Sequence, residues 1–191
     1  MKVIAFNGSA RKDGNTSIIL NIVLDEIKSE GIETGIKSLA GEKIQGCIAC
    51  YKCFKNKNMK CAIDDDVVND YFNLMYLSQG ILLGSPTYFA DISTNLKALI
   101  ERCGMVSRAN NDLLKRKVGA AVIAVRRAGA IHAFTSINYF FLIGQMIVPG
   151  SSYWNIAIGR EPGDVNSDSE GIETMRTLGI NMAWLLKKIN S

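Results

Sequence analysis

Short apolar runs alternate with longer stretches of helical spacing along the whole chain. Val3 to Phe6 is a compact apolar run of strand length, and Asn15 to Ser29 then carries Ile18, Ile19, Ile22, Val23 and Ile27 at the spacing of one helix face. Gly31 stops that helix, and Glu33 to Leu39 follows as a weaker strand of alternating polarity. After a cysteine-rich segment, Asp64-Asp65-Asp66 is placed to cap the next helix, whose apolar face is Val67, Val68, Tyr71, Phe72, Met75 and Tyr76. Gly80 to Gly84 predicts a buried strand, Ser85 to Phe89 a loop, Ser93 to Val106 a helix and Lys117 to Val125 an apolar strand. Ile131 to Val148 predicts a fourth helix, Ser152 to Ile158 a fifth strand and Ser169 to Ile189 a closing helix.

Five strands alternating with five helices, the central strands apolar on both faces, argue for an α/β protein with a parallel sheet between two helix layers. Right-handed crossovers favour a doubly wound sheet of order 2-1-3-4-5. That order puts a switch point between the first and third strands at their carboxyl ends, where a ligand is expected. No repeat or linker interrupts the pattern, so residues 1–191 form one domain, with residues 46–62 as a cysteine-rich insert after the second strand.

Composition narrows the possible partners. A chain of 191 residues, 48% of them apolar, can bury a single core. Its apolar stretches, such as Val118 to Val125 and Tyr139 to Val148, are too short or too interrupted to span a bilayer, so no membrane partner is expected. The opening residues carry no long apolar leader with a cleavage site, and the cytoplasm is the expected compartment. Lys and Arg number 22 against 18 Asp and Glu without a dense basic stripe, so nucleic acid is not expected either.

The loop Gly8-Ser9-Ala10-Arg11-Lys12-Asp13-Gly14-Asn15-Thr16-Ser17 lies between the first strand and the first helix. Helix-start N–H groups and the positive end of the dipole bind a phosphate there. Gly8 permits close backbone approach, Ser9, Thr16 and Ser17 offer hydroxyls, Asn15 can cap the helix, and Arg11 can reach over an anion. An ordinary turn rich in capping residues would use the same residue types. Across the switch point stands a second loop, Ser85-Pro86-Thr87-Tyr88-Phe89-Ala90-Asp91-Ile92-Ser93. With both loops in place, the chain resembles the NADPH-dependent FMN reductase branch of the flavodoxin superfamily over nearly its whole length. In that branch a Gly-Ser-x-Arg-x-x-Gly-Asn-Thr loop holds the FMN phosphate and a Ser-Pro-x-Tyr loop borders the ring. The resemblance implies a flavodoxin-like fold, ring contacts from Pro86, Thr87, Tyr88 and Phe89, and a bordering role for Asp91 or Ser93. In relatives the loop after the fourth strand is Gly-rich, whereas this chain has Arg126-Arg127 there. Arg126 is a candidate for stabilising a reduced, anionic flavin. A surface arginine pair is the alternative. His132, the only histidine, suits capping or packing better than catalysis.

Four of the five cysteines, Cys47, Cys50, Cys53 and Cys61, are separated by two, two and seven residues. In a compartment that keeps thiols reduced they read as ligands or redox thiols rather than as a disulfide framework. Three thiolates at two-residue gaps can wrap a small cluster, and the seven-residue loop returns the fourth. Zinc more often takes two separated knuckles, and unligated thiols or a disulfide remain open. Here the chain resembles the iron-sulfur flavoproteins, whose compact cysteine motif binds a 4Fe-4S cluster beside FMN. Cys103, outside the motif, suits a small buried apolar role. Lysines 52, 55, 57 and 60 suit either a solvated face or the docking of an acidic donor such as ferredoxin.

These likenesses imply an oxidoreductase in which one-electron donors feed the cluster, the cluster feeds FMN, and the flavin reduces a small acceptor such as oxygen, peroxide or a quinone. An NAD(P)H-dependent FMN or quinone reductase with incidental cysteines is the second reading. A non-catalytic electron carrier or redox sensor is the third. Relatives complete the flavin site with a neighbouring subunit, so a homodimer or homotetramer is expected, with exposed aromatics around Tyr139, Phe140 and Phe141 as a contact.

Overall fold

The computed structural model describes residues 1–190. Its sheet has the strands β1 (Lys2–Asn7), β2 (Glu33–Ser38), β3 (Gly80–Pro86), β4 (Val118–Val125) and β5 (Ile156–Ile158) in the order β2-β1-β3-β4-β5. Every pairing is parallel. This is the order expected from the sequence pattern. The helices are α1 (Asn15–Ser29), α2 (Lys52–Asn56), α3 (Val68–Leu77), α4 (Thr94–Ala109), α5 (Ala130–Ile143) and α6 (Ser169–Ile189).

Because successive strand residues point to opposite faces, each central strand serves two cores. Val3, Ala5, Leu82, Val118, Ala120 and Val122 pack beneath α1 and α6, with Ile19, Val23, Leu178 and Met182. Ile4, Phe6, Ile81, Leu83, Ala121 and Ile123 pack on the other face against α3, α4 and α5, with Phe72, Leu99 and Phe141. All eight residues of β4 are buried, as a strand covered by helices on both sides requires. Burial of each Leu, Ile or Phe is worth roughly 1.5–3 kcal/mol, so these two layers fix the strand ends that carry the loops. Among the described residues, no helix is long and apolar enough to cross a membrane.

Several expected boundaries are corrected. The fourth long helix stops at Ile143 rather than Val148: Gly144 ends it and Gln145 turns the chain at φ 54°. Ile147 then lies parallel to the start of β4, donating to Lys117 O and accepting from Gly119 N, each at 2.9 Å. The reason lies in β5, which is only three residues long and pairs with Ile123 to Val125, leaving the first half of β4 in need of partners. Residues 152–155 are not strand. Asn155 instead sends its side chain into the gap and donates to Ala121 O at 2.9 Å. The aspartate run does not cap as a group, because α3 begins only at Val68 and of the three it is Asp66 that accepts the Val68 N–H, at 3.0 Å. Phe140 and Phe141 are buried, so of the three aromatics expected on the surface of α5 only Tyr139 is exposed.

Candidate functional site

The carboxyl ends of β1 and β3 meet at the switch point, where Gly8 N donates to Gly84 O at 2.8 Å. A side chain at residue 8 would lie 2.9 Å from Leu96 Cβ and Ser93 Oγ, so the approach of the two loops requires glycine. The first loop is shaped by its own polar groups. Ser9 N donates to Asn7 Oδ1 and Arg11 N to Ser9 Oγ, both at 3.0 Å, while Asn7 Nδ2 reaches Lys12 O at 3.3 Å. The amino end of α1 has no capping side chain and no acidic residue in its first turn, which leaves its positive dipole end available to an anion.

Ser9, Arg11, Asn15 and Thr16 line one side of a cleft of about 230 Å³. Pro86, Thr87 and Tyr88 line the second side, and Ala124, Arg126, Gly159 and Arg160 close it from the ends of β4 and β5. Ser17, Phe89 and Asp91 lie outside this lining. Ser17 sits within the first turn of α1, its N–H given to Gly14 O at 2.9 Å. Phe89 and Ala90 both adopt left-handed backbone, φ 47° and 64°, at the tip of a two-residue hairpin closed by Tyr88 and Asp91. That tip leaves Phe89 fully exposed. Asp91 braces the hairpin from below, accepting from Ile92 N at 2.7 Å and from Ser136 Oγ at 2.8 Å, with His132 Nε2 at 3.6 Å. Desolvation opposes its charge, yet the Ile92 and Ser136 donors, with His132 and Lys97, outweigh it and hold the carboxyl below its ordinary pKa. Ser93 caps α4, accepting from Leu96 N at 3.4 Å.

Asn15 is not a helix cap. Its side chain donates to Glu161 O at 2.9 Å and accepts from Gly163 N at 2.8 Å, pinning the loop after β5 to the phosphate-loop side. Arg11 Nη1 also reaches that loop, at Arg160 O, 3.3 Å away. Gly159 and Arg160 thus join the cleft, although sequence reasoning passed over them. The signal was Gly159 directly after an apolar strand: a Cβ there would meet Asn15 Nδ2 and Val165 N at 2.8 Å. The fit to a flavin phosphate rests on two features of the cleft itself. Its anion end gathers Arg11, Ser9, Thr16 and the open start of α1, and its far side is lined by Pro86, Thr87 and Tyr88.

The cysteine segment between β2 and α3 is built differently. Ala49, Tyr51, Lys57 and Met59 all take left-handed backbone, with φ between 48° and 60°. Each such non-glycine residue costs about 1–2 kcal/mol, and strain of this kind collects at sites whose geometry matters. The segment is fastened from outside. Asn69 on α3 takes Cys61 N at 2.8 Å and returns Nδ2 to Cys61 O at 3.1 Å. Glu101 Oε2 accepts from Cys47 N at 3.3 Å, and Asn110 Oδ1 from Met59 N at 3.2 Å. All four thiols border one recess, floored by Arg102, Met105 and Val106 of α4. None of the four is in a disulfide. Burial pushes the Cys53 thiol up, two backbone N–H groups pull it down, and the neighbouring Cys61 and Cys47 push it up again. Four cysteines bordering one recess fit a cationic cluster, which would be held by them as thiolates.

Arg102 was not anticipated. Its side chain is fully buried and forms an ion pair with Asp66. Burial disfavours its charge, but hydrogen bonds to Asp66 and Cys61 prevail and raise its pKa. Cys103, next to it, is buried in the core, and burial drives its thiol pKa far up, as suits an apolar role.

The sequence pattern of the NADPH-dependent FMN reductase family matches residues 1–161. An iron-sulfur flavoprotein of Methanocaldococcus jannaschii, MJ1083, is 39% identical over 99% of this chain and 99% of its own. A second one from that organism, MJ0731, is 31% identical over 92% of both chains. Among solved structures, a flavodoxin from the domain Archaea superposes with a TM-score of 0.63 at 17% identity, covering 98% of this chain and 99% of the other, a likeness of fold.

Proposed function

The chain belongs to the NADPH-dependent FMN reductase family and to the iron-sulfur flavoproteins within it, and from that premise we propose that it couples a 4Fe-4S cluster to FMN. It is an FMN-dependent oxidoreductase. FMN supplies two-electron chemistry and the cluster one-electron steps, so the pair joins one-electron donors to a small acceptor such as oxygen, peroxide or a quinone.

The residues have separate tasks in this reading. Arg11, Ser9, Thr16 and the start of α1 hold the phosphate; Asn15 keeps the loop after β5 closed against it. Pro86, Thr87 and Tyr88 border the ring, and Arg126 adds positive charge that favours a flavin gaining electrons. Cys47, Cys50, Cys53 and Cys61 hold the cluster. The observation that carries the reading is that these thiols, drawn from two sides of a seven-residue loop, border a single recess. Zinc more often takes two separated knuckles than three cysteines in a tight row.

Lys52, Lys55, Lys57 and Lys60 are exposed beside the thiols and suit an acidic electron-donor protein such as ferredoxin. Tyr139, Leu142 and Ile143 form an exposed apolar strip on α5 suited to a second copy of the chain. Direct hydride transfer from NAD(P)H is the second reading, favoured by the family match over residues 1–161. Anaerobic bleaching separates the two. Fast flavin reduction by a reduced ferredoxin, slow reduction by NAD(P)H, and loss of the fast phase in Cys61→Ser support the cluster route. Equal, rapid bleaching of wild type and Cys61→Ser by NAD(P)H overturns it in favour of hydride transfer.

A further inference from the structure

Two adjacent residues of α4 hold the two ends of the cysteine motif: Glu101 accepts the Cys47 N–H, and Arg102 reaches Cys61. Arg102 is the fuller anchor. Its Nε donates to Cys61 Sγ at 3.3 Å, Nη1 to Gln45 O at 3.3 Å and to Asp66, and Nη2 to Ile63 O at 2.6 Å. One guanidinium therefore grips the chain ahead of the first cysteine, the fourth cysteine itself, and the two stretches that follow it. A planar fork with five fixed donors can do this, whereas an ammonium on a flexible stem cannot meet the same set at once.

The charge matters as well as the shape. Arg102 is removed from solvent, so its positive charge beside Cys61 is little screened. Adding an electron to a cluster adds negative charge, and cluster potentials respond to local charge and to hydrogen bonds on the sulfurs. Asp66 offsets part of that charge, but it pairs with Nη1 on the other side of the fork from the Nε that meets the sulfur.

We propose that Arg102 is the positioning residue of the cysteine site, fixing Cys61 as fourth ligand through Nε and raising the reduction potential of the cluster through its buried charge. The inference rests on the cluster reading given above and assigns to one arginine both the retention of the cluster and the ease of its reduction.

The test compares anaerobically purified wild type, Arg102→Lys and Arg102→Gln by iron, sulfide and FMN content, by EPR-monitored redox titration, and by iron release to a chelator. Arg102→Lys keeps the charge and loses the fork: its cluster potential should stay near wild type while iron leaves several-fold faster. Arg102→Gln loses both, and with FMN retained it should either hold no cluster or hold one whose reduction equilibrium is about tenfold less favourable, ~59 mV for a one-electron couple. Iron release from Arg102→Lys at the wild-type rate overturns the positioning role, and an unchanged potential in Arg102→Gln overturns the electrostatic one. A purely structural arginine would alter folding and FMN content while leaving the potential where it was. Wild-type protein that carries FMN but no iron overturns the cluster reading itself and this inference with it, an outcome distinct from an iron-loaded wild type with unaltered variants.

Discussion

The cleft at the strand ends and the cysteine recess are made in opposite ways. The cleft is assembled at the ends of β1, β3, β4 and β5, so its lining residues inherit their places from neighbouring strands of one sheet. The recess has only the five-residue helix α2 of its own, and its chain is bent through four left-handed non-glycine residues. It keeps its shape because α3 holds it through Asn69, α4 through Glu101 and Arg102, and the residue after α4 through Asn110. A site carried on strand ends tolerates loss of one side chain; a strained insert held by a few polar anchors does not.

That contrast can be broken most sharply at the thiols. Cys53→Ser and Cys61→Ser should lose essentially all cluster iron while retaining FMN at wild-type stoichiometry, as read from iron and flavin counts on one preparation. Loss of both cofactors together would merge the two regions into one. Next in size, Arg102→Ala leaves Asp66 buried without its cation and should lower unfolding free energy by roughly 3–5 kcal/mol in a urea melt. A partner change, Arg102→Met with Asp66→Leu, should recover part of that loss.

The cleft should respond more mildly and in the other cofactor. Arg11→Ala removes a charged donor from the anion end and should weaken FMN binding by about 1.5–3 kcal/mol, roughly 10–100-fold, with iron unchanged, measured by fluorescence titration of apoprotein. Asn15→Ala unties the loop after β5 and should cost about 1–3 kcal/mol of stability, with weaker flavin binding as a consequence.

The smallest effect concerns pH. The Asp91 carboxyl lies below its unfolded pKa of about 3.9, so its stabilising effect is present above that pH and lost as pH falls through the folded value. Unfolding curves for wild type and Asp91→Asn should therefore differ by a constant amount near neutrality and converge below about pH 4. A gap that stayed constant in acid would mean that the carboxylate charge does not brace the hairpin.

The regular part of the molecule was legible because its information is periodic. Alternation of short apolar runs with helical faces pointed to five strands in the observed order, and the loop after β1 carried its own glycines and hydroxyls. Legibility failed where a residue's role depends on a distant partner. Ile147 reads as the tail of a helix, and only the shortness of β5 makes it a neighbour of β4. Asn15 reads as a cap, and its partners lie far along the chain in the loop after β5. Ala49, Tyr51, Lys57 and Met59 give no composition signal for left-handed backbone, since none is glycine or asparagine. Arg102 did leave a trace: with Leu99, Cys103 and Val106 it falls on the apolar face of α4, where a charged residue has to find partners.

The central claim is that one chain carries both cofactors, and an anaerobic preparation of the unaltered protein tests it directly. Its visible spectrum should show flavin bands over a broad iron-sulfur absorption, with iron and acid-labile sulfide in equal amounts, about four of each per FMN. A flavin spectrum with neither iron nor sulfide would contradict it, and would leave Cys47, Cys50, Cys53 and Cys61 as plain thiols beside a working flavin cleft.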